Sequence, residues 1–268
     1  MKRTYAIALA TIIISSSVTA ADYSQDRNKN DSRWFRFNYM YAINELPGES
    51  NHDYIEMEFG GRSGIFDVYG YVDIFNPSNN KSSDKYEREK LYMKVSPRMS
   101  IDGLLQKDLS FGAVQELYVA GIMSIGGAGH VADDSSANGG LVGLSADINV
   151  PFMGVMGWGL YGQYDINDQK WNGYQISAGW FTPLYTFANK SFISYQGYAD
   201  LNFGMKHHPS RDLSSTAADM FNGFYWHHGK LSLGYGLKLF KDIYGLNNGG
   251  FAGKTTGAAH YFSAGYLW

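Results

Sequence analysis

The chain has 268 residues, with 22 Lys and Arg against 25 Asp and Glu, a formal net charge of -3, and no Cys. That balance argues against nucleic-acid binding, which needs a basic face, and the absence of Cys is compatible with an oxidising compartment without requiring one. Glycine (32) and tyrosine (21) are the informative excesses, because membrane β-barrels use them in tight turns and aromatic girdles.

The N-terminus reads as an export signal. Met1-Lys2-Arg3 is basic, Ala6 to Ile14 is apolar, and Val18-Thr19-Ala20 is a small-residue cleavage site. The apolar run is too short to span a membrane as a helix, which takes about 20 residues. Residues 1–20 are therefore expected to be a cleaved signal peptide and residues 21–268 the mature protein. Loss of Lys2 and Arg3 leaves 20 basic side chains against 25 acidic ones, a net charge of -5. Ala21 to Ser32 is a polar leader, after which side chains begin to alternate.

Phe35, Phe37, Tyr39, Tyr41 and Ile43 share one face of the first strand, with Arg36, Asn38, Met40 and Asn44 on the other. Asn44 to Glu49 is a loop punctuated by Pro47 and Gly48. The second strand, Asp53 to Arg62, places Ile55, Met57 and Phe59 outward and Tyr54, Glu56 and Glu58 inward, and Gly60 to Gly64 is expected to turn. The third sets Phe66, Val68, Val72 and Ile74 against Asp67, Tyr69, Tyr71 and Asp73. A charged loop, Pro77 to Lys90, leads to a fourth strand with Leu91, Met93 and Val95 outward and Tyr92, Lys94, Ser96 and Arg98 inward. Pro97 to Ser110 is a long connection where a short one is due, expected to be a structured turn. Further strands are expected at Val114–Met123, Leu141–Val150, Met156–Ile166, Gly173–Phe181, Phe192–Met205, Met220–His227, Leu231–Phe240 and Gly257–Trp268.

The final segment alternates His260, Phe262, Ala264, Tyr266 and Trp268 against Tyr261, Ser263, Gly265 and Leu267. A closed sheet needs such a last strand to pair with the first. A soluble β-sandwich would also alternate, but its polar face would meet bulk water. Here the outer face is apolar on almost every strand, with aromatic residues near strand ends. The expected fold is all-β: a transmembrane antiparallel up-and-down β-barrel of about twelve strands in the bacterial outer membrane, surrounded by lipid, with short turns in the periplasm and long loops outside.

The inward side chains define the candidate site. Tyr54, Glu56, Glu58, Asp67, Tyr69, Tyr71 and Asp73 come from the second and third strands, with Arg36, Lys94 and Arg98 beside them. Acidic and basic stripes facing each other across a pore would set a transverse field; a lattice of paired charges is the simpler alternative. Tyrosines suit a flat solute. A nucleoside base stacks on Tyr, and ribose hydroxyls donate to carboxylates. Sugars would use the same residue types. Gln163, Asp165, Gln175, Gln196, Tyr198, Asp200 and Asn202 extend this inward set. Catalytic signals are thin, and no enzyme, cofactor or metal site is expected. His207-His208 and His227-His228 read as solvated or girdle residues, since strand neighbours point to opposite faces. His208-Pro209-Ser210 is the nearest approach to a Ser–His pair. Gly126-Gly127-Ala128-Gly129 lacks the helix a phosphate cradle needs.

Several segments resemble one family in order along the mature chain: Asn44–Glu49 (NELPGE), Tyr54–Gly61 (YIEMEFGG), Asp67–Asp73 (DVYGYVD), Pro97–Leu104 (PRMSIDGL), Lys107–Gly112 (KDLSFG), Trp171–Ser177 (WNGYQIS), Ser194–Tyr198 (SYQGY) and Phe221–His227 (FNGFYWH). The chain is similar to the nucleoside-specific channel-forming outer-membrane proteins, the Tsx-like family, and more closely to its OmpK-type branch. The resemblance implies a monomeric twelve-stranded barrel that passes nucleosides by selective diffusion. For the OmpK-type branch it also implies loops used as a bacteriophage receptor. A general porin, or a surface receptor mounted on a barrel, is the alternative reading.

Overall fold

The computed structural model describes residues 23, 26–88, 90–126, 138–167, 169–206 and 212–268. The expected signal peptide, the cleavage site and residues 127–129 of the Gly-rich run lie outside this set, as do His207, His208 and Ser210. The described residues form twelve strands: β1 (Ser32–Glu45), β2 (Ser50–Ser63), β3 (Phe66–Phe75), β4 (Leu91–Ser100), β5 (Val114–Gly126), β6 (Gly139–Val150), β7 (Gly154–Asp165), β8 (Lys170–Thr186), β9 (Phe192–Phe203), β10 (Ala217–His228), β11 (Leu231–Lys241) and β12 (Gly257–Leu267). Each pairs antiparallel with its neighbours in sequence, and β1 closes on β12 in a single barrel. The closing register runs from Arg36 opposite Leu267 to Ile43 opposite His260. The Trp268 amide extends it by donating to Phe35 O at 2.8 Å.

Burial is inverted relative to a water-soluble domain. Val142 and Leu144 on the outer face are each 60 % exposed, whereas the inward Tyr118 is fully buried. Strands of 10 to 17 residues are long enough to cross a bilayer, which takes about 9–11 tilted residues. By the rule that short turns face the periplasm, the end carrying residues 64–65, 151–153 and 229–230 is periplasmic. Residues 76–88, 204–206, 212–216 and 242–256 lie at the outer end. Two connections at that outer end, 46–49 and 166–169, are short.

Several strand boundaries differ from the expected ones by two or three residues, and three differences have a local physical cause. Gly60 and Gly61 do not turn; β2 runs through them to Ser63. A Cβ on Gly60 would come within 2.7 Å of the Trp34 ring, so this glycine makes room for an aromatic neighbour on β1. Gly64, at φ +56°, makes the turn instead. Pro97 does not end β4. It stays in register with Val68 on β3, while the ladder to β5 skips from Val95 to Arg98 because proline has no N–H. The long periplasmic connection is structured, as expected, around a short helix α1 (Ile101–Leu105). Ser100 Oγ accepts from Gly103 N at 2.9 Å. The Asp102 carboxylate accepts from Leu109 N at 3.0 Å and from Leu117 N at 3.1 Å. β8 extends five residues past its expected end, with a bulge between Pro183 and Tyr185 absorbing the proline.

Candidate site in the barrel lumen

The period-2 rule and the barrel register together determine which inward side chains meet. On the β2–β3 pair, Glu56 lies opposite Asp73 and Glu58 opposite Tyr71. On β3–β4, Tyr71 lies opposite Lys94, Asp73 opposite Tyr92, and Asp67 opposite Arg98. Trp34, Tyr69, Tyr71 and Tyr92 form a ladder of rings with successive centroid separations of 6.1, 6.2 and 5.9 Å. Tyr69 Oη donates to Glu58 Oε1 at 2.9 Å, and Asn38 Nδ2 donates to Glu56 Oε1 at 2.7 Å. The inner wall of β2–β4 is thus a strip of aromatic faces edged by carboxylates.

Across the lumen stands a second wall from β9–β11. Lys94 Nζ on β4 reaches Asp200 on β9 at 3.6 Å. These strands are five apart in the ring of twelve, so this ion pair crosses the bore and marks a narrow level. Lys238 pairs with Asp219 at 3.5 Å. The Tyr198 ring centroid lies 5.8 Å from Lys94 Nζ and 5.7 Å from Lys238 Nζ, within cation–π range of both. Phe221 stacks on Tyr198 with centroids 6.2 Å apart.

The ten candidate residues fall into three groups. Glu56, Glu58, Tyr69, Tyr71, Asp73 and Lys94 share the aromatic strip, with Arg36 joined to it through Glu58 at 3.6 Å. Tyr54 belongs instead to an apolar cluster with Met40, Ala42, Leu46, Phe240, Ile243, Ala259 and Tyr261. Asp67 and Arg98 sit toward the periplasmic end. Arg98 pairs with Asp67 at 3.0 Å and with Asp147 at 2.7 Å, and lies over the Tyr118 ring at 4.1 Å. Six residues along β3 separate Asp67 from Asp73, roughly 20 Å at the usual rise per residue. The cations form no separate stripe opposing the carboxylates. Arg36, Lys94 and Arg98 each hold a carboxylate partner, which is the paired lattice rather than a transverse field.

Loop 242–256 narrows the outer mouth. Its short 3₁₀ turn, Ile243–Gly245, brings Ile243 into the cluster of inward residues from β1, β2, β11 and β12. The loop is tied to its neighbours: Ser214 N donates to Gly245 O at 2.6 Å, Asn247 N to Asp212 O at 3.1 Å, and Gly48 N to Lys254 O at 3.0 Å. The Asp242 carboxylate accepts from Lys241 Nζ at 2.7 Å and from the Thr256 hydroxyl at 3.2 Å, and the Asp242 backbone amide donates to Thr256 Oγ1 at 3.0 Å. Burial works to raise the Asp242 pKa, but the hydrogen bonds from Lys241 and Thr256 outweigh it and hold the carboxyl below its ordinary value. At the periplasmic mouth, Tyr23 Oη donates to Glu116 Oε1 at 2.5 Å and contacts Arg62. Burial and that carboxylate push its pKa up to about 12.

Several lumenal residues escaped the sequence reading. Lys238 and Asp219 obey the same alternation within β11 and β10 and were recoverable from it. Loop residue Ile243 carries no periodic signal. His227 corrects the expectation of a solvated or girdle histidine. It is buried, bonded to Ser194 Oγ at 2.8 Å and stacked on Phe192 at 4.4 Å. A second Ser–His contact, Ser50 Oγ to His52 Nδ1 at 2.9 Å, has Glu45 on the other ring nitrogen at 3.0 Å. There Ser50 Oγ donates to Asp84 Oδ1 at 2.7 Å, so the hydroxyl proton is already engaged and the row ties loop 76–90 to the barrel. Among the described residues, no group of three His, Asp or Glu side chains converges as a metal site.

Comparison with known proteins places this geometry in context. The family described as "Nucleoside-specific channel-forming protein, Tsx" matches residues 29–268. The outer membrane protein OmpK of Vibrio parahaemolyticus is 54 % identical over 253 residues, 94 % of each chain. The nucleoside-specific channel-forming protein Tsx of Klebsiella aerogenes is 27 % identical over 99 % of each chain. Among solved structures, a KdgM porin in complex with disordered oligogalacturonate aligns over 87 % of this chain and 98 % of its own, at 10 % identity and a TM-score of 0.43, a likeness too distant to bear on the site.

Proposed function

The chain belongs to the Tsx family of nucleoside-specific channel-forming proteins of the outer membrane, and from that premise we propose that its lumen passes nucleosides by selective passive diffusion. The observation that carries this reading is the ladder Trp34–Tyr69–Tyr71–Tyr92 with Glu56, Glu58 and Asp73 along its edge. Ring separations near 6 Å leave a flat base a succession of aromatic faces, each stacking contact being worth about 1–3 kcal/mol. The carboxylates accept hydrogen bonds from ribose hydroxyls and exocyclic amines. The solute is handed from one weak contact to the next, so binding is strong enough to enter and weak enough to leave. Liposome swelling with adenosine against a disaccharide tests this. Faster swelling with adenosine is expected; equal rates would leave a general porin.

The closed β1–β12 seam needs no second copy, which supports a monomeric channel. The outer loops support a further role as a bacteriophage receptor, because residues 46–49, 212–215 and 242–256 are cross-linked by hydrogen bonds into a shaped surface. Shortening loop 76–90 or 204–216 is expected to abolish adsorption of a phage that uses this protein while conductance persists.

A further inference from the structure

Glu56 and Asp73 are direct register partners on β2 and β3, and both point inward. Like charges directly opposite on antiparallel strands lie about 4.5–5.5 Å apart at Cβ and repel. The usual remedies are missing. Glu56 takes a hydrogen bond from a neutral donor, the Asn38 amide. Asp73 is only 6 % exposed, and its Oδ1 is buried with no hydrogen-bond partner. The cations around the pair are committed elsewhere: Arg36 to Glu58, Lys94 to Asp200, and Lys238 to Asp219, at 3.5–3.6 Å. Glu45 adds a further carboxylate to this part of the lumen, engaged by His52 and Tyr261.

We propose that the Glu56–Asp73 pair binds a small monovalent cation and makes the pore cation-selective. A cation held between the two carboxylates converts one repulsion into two attractions, and it supplies the partner that Asp73 Oδ1 lacks. A divalent ion fits poorly. Such ions take about six or more oxygen ligands, and no third acidic or histidine side chain converges among the described residues. The site goes beyond nucleoside passage and operates without any nucleoside.

The reversal potential of the full-length barrel in a planar bilayer under a KCl gradient tests the proposal, with no nucleoside present. The wild-type pore is expected to favour K+ over Cl−. Asp73→Asn and Glu56→Gln are each expected to reduce that preference about fivefold, the Boltzmann weight of one unit charge at ~4 Å in a water-like dielectric. Asp108→Asn, the same charge change on the exposed periplasmic connection, is expected to leave it unaltered. Both lumenal substitutions keep side-chain shape and remove a repulsion, so barrels should refold. Thermal melting gives a second readout. Potassium chloride should stabilise the wild type relative to N-methylglucamine chloride, and Asp73→Asn should erase the difference. A non-selective wild-type pore, or variants that retain its permeability ratio, would overturn the proposal. So would equal melting in the two salts, the behaviour of a carboxyl pair that shares a proton instead.

Discussion

Tyr71→Ala isolates the aromatic strip from everything else in the lumen. Tyr71 is the middle of the ladder, 6.2 Å from Tyr69 and 5.9 Å from Tyr92 by ring centroid. Its removal opens a gap of two ring spacings, so a base that leaves Tyr69 finds no face until Tyr92. One lost stacking contact costs about 1–3 kcal/mol, which weakens nucleoside binding roughly 5- to 150-fold. The backbone ladder of β3 is untouched, because Tyr71 pairs with Glu58 and Lys94 through main-chain register alone. The level that limits ion flow is expected to persist too, since the Lys94–Asp200 bridge does not involve Tyr71. Titration of single-channel current with adenosine reads both quantities, the block constant and the unblocked conductance. The block constant should weaken within that range while open conductance rises only slightly. Asp67→Asn is the companion, being four residues along the same strand and bound to Arg98; it should leave the block constant unchanged. An unaltered block in Tyr71→Ala, or an equal loss in Asp67→Asn, would refute the assignment of the ladder as the nucleoside path.

Nucleosides should enter faster than their monophosphates, which carry roughly -1.5 to -2 charges near pH 7, because Glu56 and Asp73 face the path and Arg36 and Lys94 are already paired. Asp73→Asn with Glu58→Gln should narrow that gap, most visibly at low salt in a swelling assay; equal rates in the unmodified protein would sink the argument. Gly60→Val should impair barrel assembly, since its Cβ would meet the Trp34 ring at 2.7 Å at an overpacking cost of about 1–3 kcal/mol, and Trp34→Ala should rescue it in a refolding assay by heat-modifiable migration. Asp242 has a depressed pKa, so its contribution to pinning loop 242–256 is present above the ordinary carboxylate value of 3.8 and is lost as pH falls through the lower folded value. Limited proteolysis should find that loop protected at neutral pH and cut more readily in strong acid, whereas Asp242→Asn should be susceptible at both.

Alternation along each strand was enough to read the architecture, because a membrane barrel obliges every second side chain to meet lipid. Phe37, Tyr39 and Tyr41 on one side of β1 and Met40 and Asn38 on the other were separable from period alone, and so was the need for a last strand to meet the first. The same rule placed Glu56, Glu58, Tyr69, Tyr71 and Asp73 inside. Glycine and proline misled it locally. Gly60 and Gly61 read as a turn, although Gly60 accommodates Trp34, and Pro97 read as a strand end, although a single missing N–H merely interrupts one ladder. What no pattern within a strand could supply was contact across the bore. Lys94 and Asp200 are 106 positions apart in sequence, yet the two meet at 3.6 Å. Only ring closure, strand stagger and the shape of the lumen bring β4 to β9. Register on β3–β4 and the reach to β6 send Arg98 to Asp67 and Asp147, away from Asp73, and Glu56 and Asp73 are left without a cation of their own. The inward fold of Ile243 was equally invisible, because a loop has no period, and its position is set by the apolar pocket that β1, β2, β11 and β12 form only when assembled. Sequence therefore determined which side chains face the lumen, through local backbone geometry. The tertiary structure decided which of them meet, because those distances depend on the closure of the whole sheet.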